Sequence, residues 1–159
     1  VQVRIDDGRV VLGGATLAKG YRNPTQPDPF AEPGWFRTDD IGTVDDSGVL
    51  RVLGRVDDAI STGGLTVLPQ FVEAALATHP AVAESAVVGV PDEKLGQRIK
   101  AFVVLKPSVV SSEALASELQ EHVKRTTAPY KYPREISFVI ELPKTVSGKI
   151  RRVELRQKR

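Results

Sequence analysis

Cysteine is absent from this 159-residue sequence, and histidine occurs only twice, as His79 and His122. Without cysteine the chain has no disulfide, no thiolate metal site and no cysteine nucleophile. Two histidines without an HExxH pair give no basis for a zinc hydrolase, and we predict no metal site. No apolar run approaches the roughly 20 residues of a membrane-spanning helix, and no basic-then-apolar leader opens the chain. We therefore expect a cytoplasmic protein without a membrane segment.

The composition is typical of a soluble domain, with 41% hydrophobic and 26% charged residues. The charges are unevenly placed, because residues 143–159 hold seven basic residues and one acidic residue. A basic tail suits a polyanion such as a nucleotide, a coenzyme or a nucleic acid. The alternative is that these side chains are simply solvated. Charge alone does not separate the two interpretations.

The first third of the chain has the pattern of two β-hairpins. Val1, Val3 and Ile5 alternate with polar residues, and the apolar residues 10–12 follow an Asp-Asp-Gly turn signal. Residues 35–41 and 49–53 bracket a second turn signal, Asp-Ser-Gly. Residues 20–34 are rich in proline and glycine and predict a loop. Two hairpins without a helix do not form an independent core. We therefore interpret residues 1–56 as the end of a larger preceding domain.

Beyond these hairpins, strand and helix patterns alternate, which predicts an α+β fold. The three expected strands cover residues 85–90, 99–105 and 136–140. They predict a small three-stranded sheet with helices.

The helices have clear start signals. Pro69 predicts a first turn, after which one apolar face holds Phe71, Val72, Ala75 and Leu76. Ser112 predicts the cap of a helix that reaches about residue 125. Its apolar residues are Leu115, Leu119 and Val123, and Glu121 and Arg125 are spaced as an i,i+4 ion pair. A last short helix follows residue 149.

The first of three unusual segments is Trp35-Phe36-Arg37-Thr38-Asp39-Asp40-Ile41-Gly42. A carboxylate at a strand end can accept hydrogen bonds from a ribose diol, as acidic residues do in dinucleotide sites. The alternative is an aspartate pair that only caps a turn.

The second segment runs from Gly54 to Gly64 and contains Arg55-Val56-Asp57-Asp58 and Gly63-Gly64. The arginine offers a planar fork to phosphate or ribose oxygens. The glycine pair allows a backbone conformation or a close approach that side chains would prevent. A hairpin turn before a helix would explain the glycines, but not the Arg-x-Asp-Asp cluster.

The third segment is Pro143-Lys144-Thr145-Val146-Ser147-Gly148-Lys149-Ile150-Arg151-Arg152. Its Gly-Lys pair suggests phosphate binding. It is not a Walker P-loop, because Pro143 replaces the first glycine and Ile150 replaces the required serine or threonine.

In combination, the order and spacing of the three segments resemble the adenylate-forming superfamily of acyl- and aryl-CoA ligases. Asp39 departs from the family pattern, in which glycine stands between the threonine and the aspartate, and Ser61 replaces a frequent lysine. Residues 1–88 resemble the o-succinylbenzoate–CoA ligases, whereas residues 91–159 resemble the medium-chain acyl-CoA synthetases. The resemblance implies that residues 1–56 end the large adenylation domain, that residue 57 is a hinge and that residues 58–159 form a mobile C-terminal lid.

The resemblance also implies the reaction and the roles of individual residues. A carboxylic acid reacts with ATP to give an acyl-adenylate, and coenzyme A then gives the thioester. ATP, Mg²⁺ and coenzyme A are the expected co-substrates, with Mg²⁺ held mainly by the N-terminal domain. The implied catalytic residue is Lys149; the nucleotide-binding residues are Asp40 and Arg55; the hinge is Asp57; the CoA tunnel is lined by Gly63 and Gly64; and further CoA phosphate contacts are Lys94, Arg98 and Lys131.

The expected function is that of an o-succinylbenzoate–CoA ligase, with a medium-chain acyl-CoA synthetase as the alternative. The family's phosphate loop and acyl pocket lie upstream of these residues, so the chain needs an N-terminal domain as partner and should be inactive alone. A nucleic-acid-binding module with a basic tail is the alternative from another class. It accounts for neither Asp40 nor the glycine pair, so no nucleic-acid partner is expected. A homo-oligomer is left open.

Overall fold

The computed structural model describes residues 1–158, which form two compact units. The first unit is Val1–Asp57, and the second begins at Asp58. Within the described residues, no helix is long and apolar enough to cross a membrane.

The first unit is a four-stranded antiparallel sheet in the order β1-β2-β3-β4. Its strands are β1 (Gln2–Asp6), β2 (Arg9–Gly13), β3 (Trp35–Val44) and β4 (Leu50–Arg55). Both predicted hairpins are confirmed, and pairing of β2 with β3 joins them into one sheet. Val10 and Val11 are its buried centre.

The second unit has a five-stranded sheet in the order β6-β5-β8-β7, with β9 pairing parallel to β8. Its strands are β5 (Ile60–Thr62), β6 (Leu65–Val67), β7 (Val82–Asp92), β8 (Gly96–Leu105) and β9 (Glu135–Phe138). The three predicted strands are confirmed, but the predicted strand number is wrong. The two missed strands have three residues each, which is too short for an alternating pattern to be recognisable.

Three helices complete the second unit: α1 (Pro69–Ala77), α2 (Glu113–Thr126) and α3 (Arg152–Gln157). The Ser112 cap is confirmed, because its hydroxyl accepts the Leu115 amide at 3.1 Å. The expected Glu121–Arg125 pair is not formed; Glu121 instead pairs with Lys124 at 2.6 Å. Of the apolar residues predicted on one face of α1, Val72, Ala75 and Leu76 are buried, whereas Phe71 is 44% exposed.

The sheet separates two apolar clusters, because neighbouring residues of a strand face opposite sides. On one side α1 and α2 share an apolar cluster with β7 and β8, in which Leu76, Ile99 and Leu119 are almost fully buried. On the other side α3 and the segment before it bury Leu155 and Leu142 against Phe102.

We expect Leu119→Ala to lower the free energy of unfolding of the second unit by about 2–5 kcal/mol, because it leaves a cavity in the core. Urea denaturation measures this change. Val110→Ala is the surface control, since Val110 is 82% exposed. Equal effects of the two variants would contradict the assignment of this core.

Candidate active site

Asp40 and Arg55 lie opposite each other on β3 and β4. The Arg55 guanidinium is 3.6 Å from an Asp40 oxygen and 3.5 Å from an Asp39 oxygen. All three side chains are partly exposed. These distances exceed those of a tight hydrogen bond, so the Asp40 carboxylate and the guanidinium remain accessible to a ligand.

The backbone that carries Asp40 is fixed by Thr38. The buried Thr38 hydroxyl donates to the Val10 carbonyl at 2.7 Å and accepts the Asp40 amide at 3.1 Å. Gly42 is required nearby, because a Cβ there would come within 2.7 Å of Val10 and 2.8 Å of the Arg51 carbonyl. The Thr38 hydrogen bonds and the close packing at Gly42 therefore order this segment, and turn capping by an aspartate does not account for them.

Asp57 is the middle residue of the 3₁₀ turn Val56–Asp58, where the first compact unit ends. The next residue, Asp58, is tied into the second unit. Its carboxylate accepts a hydrogen bond from Arg156 at 2.6 Å and lies 3.8 Å from Arg152.

Lys149 is carried on a closed hairpin loop between Leu142 and α3. Lys144 and Ile150 form a β-bridge, and the Thr145 amide donates to the Lys149 carbonyl at 2.7 Å. The Thr145 hydroxyl accepts the Lys149 amide at 3.1 Å. The loop is therefore held by its own hydrogen bonds and presents the exposed Lys149 side chain.

The basic residues nearest to Lys149 in the sequence have carboxylate partners within the second unit. Lys144 pairs with Glu84 at 2.9 Å, Arg151 with Glu154 at 2.7 Å, and Arg152 with Glu73 at 2.6 Å. Across residues 1–158, no carboxylate is found within ion-pair distance of Lys149. Lys149 thus differs from its basic neighbours in having its charge available.

Gly63 and Gly64 form the two-residue loop of the hairpin between β5 and β6. Their φ angles are +56° and +80°, as the tight turn of such a hairpin requires. The hairpin end is bonded to the turn between β7 and β8, because the Gly63 amide donates to the Leu95 carbonyl at 2.9 Å. The Asp92 carboxylate accepts two backbone amides in that turn, which lowers its pKa.

Gly63 lines a cavity of about 120 Å³ together with Tyr130, Tyr132 and Arg134. Beside it, cations face aromatic rings: Lys124 lies 4.3 Å from the Tyr132 ring centre, and Lys131 lies 5.2 Å from that of Phe71. We call this the cation–aromatic surface, formed by Phe71, Lys124, Tyr130, Lys131, Tyr132 and Arg134.

The three basic residues suggested for CoA phosphates have different surroundings. Lys131 belongs to the cation–aromatic surface, whereas Lys94 lies in the turn between β7 and β8. Arg98 faces the other side of the sheet from Ile99. There it hydrogen-bonds Glu135 at 2.9 Å and the Pro91 carbonyl at 3.0 Å. Arg98 therefore does not share the Gly63 cavity.

Glu135 is held by two cations on that opposite side. The almost completely buried Lys100 lies 2.7 Å from one Glu135 oxygen, and Arg98 binds the other. The hydrogen bond from Lys100 lowers the pKa of Glu135, against the opposing effect of burial. The Glu135 charge is thus compensated by two cations of β8, and these contacts join β8 to β9.

Comparison of the sequence and the fold with known proteins identifies a family. Residues 72–149 match the family described as AMP-binding enzyme C-terminal domain. Over 150 residues, 93% of the chain, the sequence is 57% identical to a probable 2-succinylbenzoate–CoA ligase of Mycobacterium tuberculosis. The o-succinylbenzoate CoA synthetase of Bacillus subtilis, solved with its acyl-adenylate intermediate, matches 99% of the chain with a TM-score of 0.85 and 33% identity.

The chain belongs to the adenylate-forming enzymes. The resemblance inferred from the three segments is thereby confirmed, as is the α+β fold of the C-terminal region. A second group of relatives includes the mitochondrial acyl-coenzyme A synthetase ACSM1 of Mus musculus, 52% identical over 87% of the chain. Both groups suggested by the two parts of the sequence are thus among its relatives.

The chain corresponds to only part of these adenylate-forming relatives. It spans 39% of the mycobacterial ligase, 25% of the mouse synthetase and 34% of the solved Bacillus chain. Enzymes of this family use ATP and coenzyme A. Among residues 1–158, no group of three or more His, Cys, Asp or Glu side chains is arranged to hold a metal ion.

Sequence reasoning missed most of the cation–aromatic surface of this adenylate-forming chain. Of its six residues, only Lys131 was predicted to have a binding role, whereas Lys124, Tyr130, Tyr132 and Arg134 were not singled out. A signal was present, since the segment 130–134 alternates aromatic and basic residues around Pro133. Its position beside Gly63, however, depends on the parallel pairing of β9 with β8.

Proposed function

We propose that the chain is the C-terminal part of an ATP-dependent acid–CoA ligase. Residues 1–56 would end the large adenylation domain, Asp57 would be the hinge, and residues 58–159 would form the lid. The observation that carries the proposal is Lys149, an available ammonium group on a self-bonded loop. The family membership supports the same role.

In the first half-reaction, an oxygen of the substrate carboxylate attacks the α-phosphorus of ATP. The bond from that phosphorus to the bridging oxygen breaks, and pyrophosphate leaves. Such displacements depend mainly on positioning and charge stabilisation. Lys149 would bring its charge to the carboxylate and the α-phosphate oxygens, while Asp40 accepts the ribose hydroxyls and Arg55 lies beside it.

In the second half-reaction, the sulfur of coenzyme A attacks the acyl carbonyl carbon. The bond from that carbon to the phosphate oxygen breaks, AMP leaves, and the thiol proton passes to solvent. The β5–β6 hairpin would approach the pantetheine arm with Gly63 and Gly64, where no side chain blocks the thiol. The adjoining cation–aromatic surface offers ring faces to an adenine and cations to phosphates.

The proposed acid is 2-succinylbenzoate, which is supported by the 57% identity to the mycobacterial ligase. A medium-chain fatty acid is the alternative, supported by the 52% identity to the mouse acyl-coenzyme A synthetase. Nucleic-acid binding is disfavoured because four basic residues of the tail already have carboxylate partners: Lys144, Arg151, Arg152 and Arg156.

The test is an assay of the longer protein that we expect to carry this chain. With ATP and coenzyme A, 2-succinylbenzoate should give AMP, pyrophosphate and a CoA thioester, with a lower kcat/KM for a medium-chain fatty acid. The 159-residue chain alone is the control and should give none of these three products. Thioester formation by the chain alone, or salt-sensitive nucleic-acid binding without acid-dependent AMP release, would contradict the proposal.

A further inference from the structure

Gln97 forms an unusual bond between a side chain and a strand backbone. Its carboxamide oxygen accepts the Ser61 amide at 2.9 Å. Ser61 is the middle residue of β5, and its partner in the hairpin is Thr66. On its other side, β5 meets β8 through one residue pair only, Thr62 with Gly96. The Gln97 side chain therefore supplies an acceptor where the backbone pairing has ended.

The fold leaves space for this side chain at Gly89. Gly89 is the β7 residue opposite Ile99, and a Cβ built on it would lie 3.0 Å from the Gln97 carboxamide carbon and nitrogen. That separation is closer than ordinary van der Waals contact. Gly89 has no positive φ, so the missing side chain serves close packing rather than backbone conformation.

Three connections hold the β5–β6 hairpin against the end of β8. They are the Ser61–Gln97 bond, the Gly63–Leu95 bond and the Thr62–Gly96 pair. The first bonds the backbone of β5 to the Gln97 side chain of β8, and the second bonds the glycine loop itself to the turn between β7 and β8. Loss of the Gln97 acceptor leaves the Ser61 amide unpaired on the side facing β8, which loosens the hairpin rather than the core.

We propose that Gln97, seated over Gly89, is a positioning residue that aligns the Gly63-Gly64 loop for thioester formation. In this role Gln97 acts through the Ser61 backbone and does not itself contact the acid, ATP or coenzyme A. The inference rests on the proposed function, because the glycine loop matters only if it approaches coenzyme A. The Lys149 loop contains none of the residues in this arrangement, so adenylate formation does not depend on it.

The experiment compares both half-reactions in the full-length protein carrying Gln97→Leu. Losing one hydrogen bond should raise the KM for coenzyme A about fivefold. Acid-dependent ATP–pyrophosphate exchange should stay within about twofold of the unmodified enzyme, because the two sites do not share partners. Gln97→Glu keeps an acceptor oxygen and should largely restore the KM.

Gly89→Ala is a second, independent variant that keeps Gln97 but pushes its carboxamide aside. It should raise the KM for coenzyme A in the same direction. Amide hydrogen exchange at Ser61 should become faster in Gln97→Leu and Gly89→Ala, but not in Gln97→Glu. This measurement needs no catalysis, and it remains available if Gln97→Leu itself fails to fold.

The outcomes separate the two proposals. If the unmodified protein forms no adenylate, the proposed function fails, and with it the role in thioester formation, whatever the exchange at Ser61. If both half-reactions proceed but Gln97→Leu and Gly89→Ala leave the KM for coenzyme A unchanged, the inference alone is wrong. An equal loss of both half-reactions in these variants would also overturn it, since that result indicates a general structural role.

Discussion

Lys149→Ala should abolish adenylate formation in the full-length enzyme and largely spare thioester formation from a supplied acyl-adenylate. The ammonium group is placed by a loop that is already closed through Thr145 and the Lys144–Ile150 bridge. Removal of such a preorganised charge costs on the order of 10²–10³ in rate. Acid-dependent ATP–pyrophosphate exchange measures the first step, and thioester release from synthetic acyl-adenylate measures the second.

Lys144→Ala is the matched control, because it removes a lysine from the same loop. Lys144 is paired with Glu84, and an exposed pair of this kind is worth only about 0–1 kcal/mol. We expect its adenylation rate to fall by less than about fivefold. Acetylation of Lys149 removes the same charge and should mimic the alanine variant. If Lys149→Ala impaired both steps equally, Lys149 would have a folding role instead.

The difference between Lys149 and the paired basic residues of the tail could not be predicted from the sequence. The tail looked suited to a polyanion because its basic residues are close together in sequence. Three of their carboxylate partners lie far away along the chain: Glu84 for Lys144, Glu73 for Arg152 and Asp58 for Arg156. Only the packing of α3 and its preceding loop against the sheet brings these charges together. The sequence therefore identified Lys149 as a candidate, but not the reason why its charge is available.

Local signals predicted local structure well. The Ser112 cap, the start of α1 at Pro69 and the hairpins of the first unit follow from side-chain chemistry within a few residues. The Asp40–Arg55 pair also follows from a hairpin, although a register shift near Ile41 places them opposite each other. The Gly63 cavity was not predictable, because it collects residues from β5, the β7–β8 turn and the segment before β9.

Asp57→Pro should produce the opposite pattern from Lys149→Ala. A hinge must change its φ and ψ between two states, whereas proline fixes φ near −65°. Asp57 lies in the 3₁₀ turn Val56–Asp58, and residues of 3₁₀ turns typically have φ values of about −50 to −70°, which proline can adopt. We therefore expect the variant to hold the lid in one position, the adenylating one. Adenylate formation should survive, while thioester formation falls by roughly two orders of magnitude or more.

Asp57→Ala separates backbone restriction from loss of the side chain, because it removes the carboxylate but leaves φ free. It should retain both half-reactions. Protease sensitivity at residues 55–60 gives a second readout: the unmodified enzyme should change on adding coenzyme A to the adenylate complex, and Asp57→Pro should not. If Asp57→Pro formed thioester at the rate of Asp57→Ala, the hinge would lie elsewhere. Another segment would then have to move the Lys149 loop away from the active site and bring the Gly63-Gly64 hairpin to it between the two half-reactions.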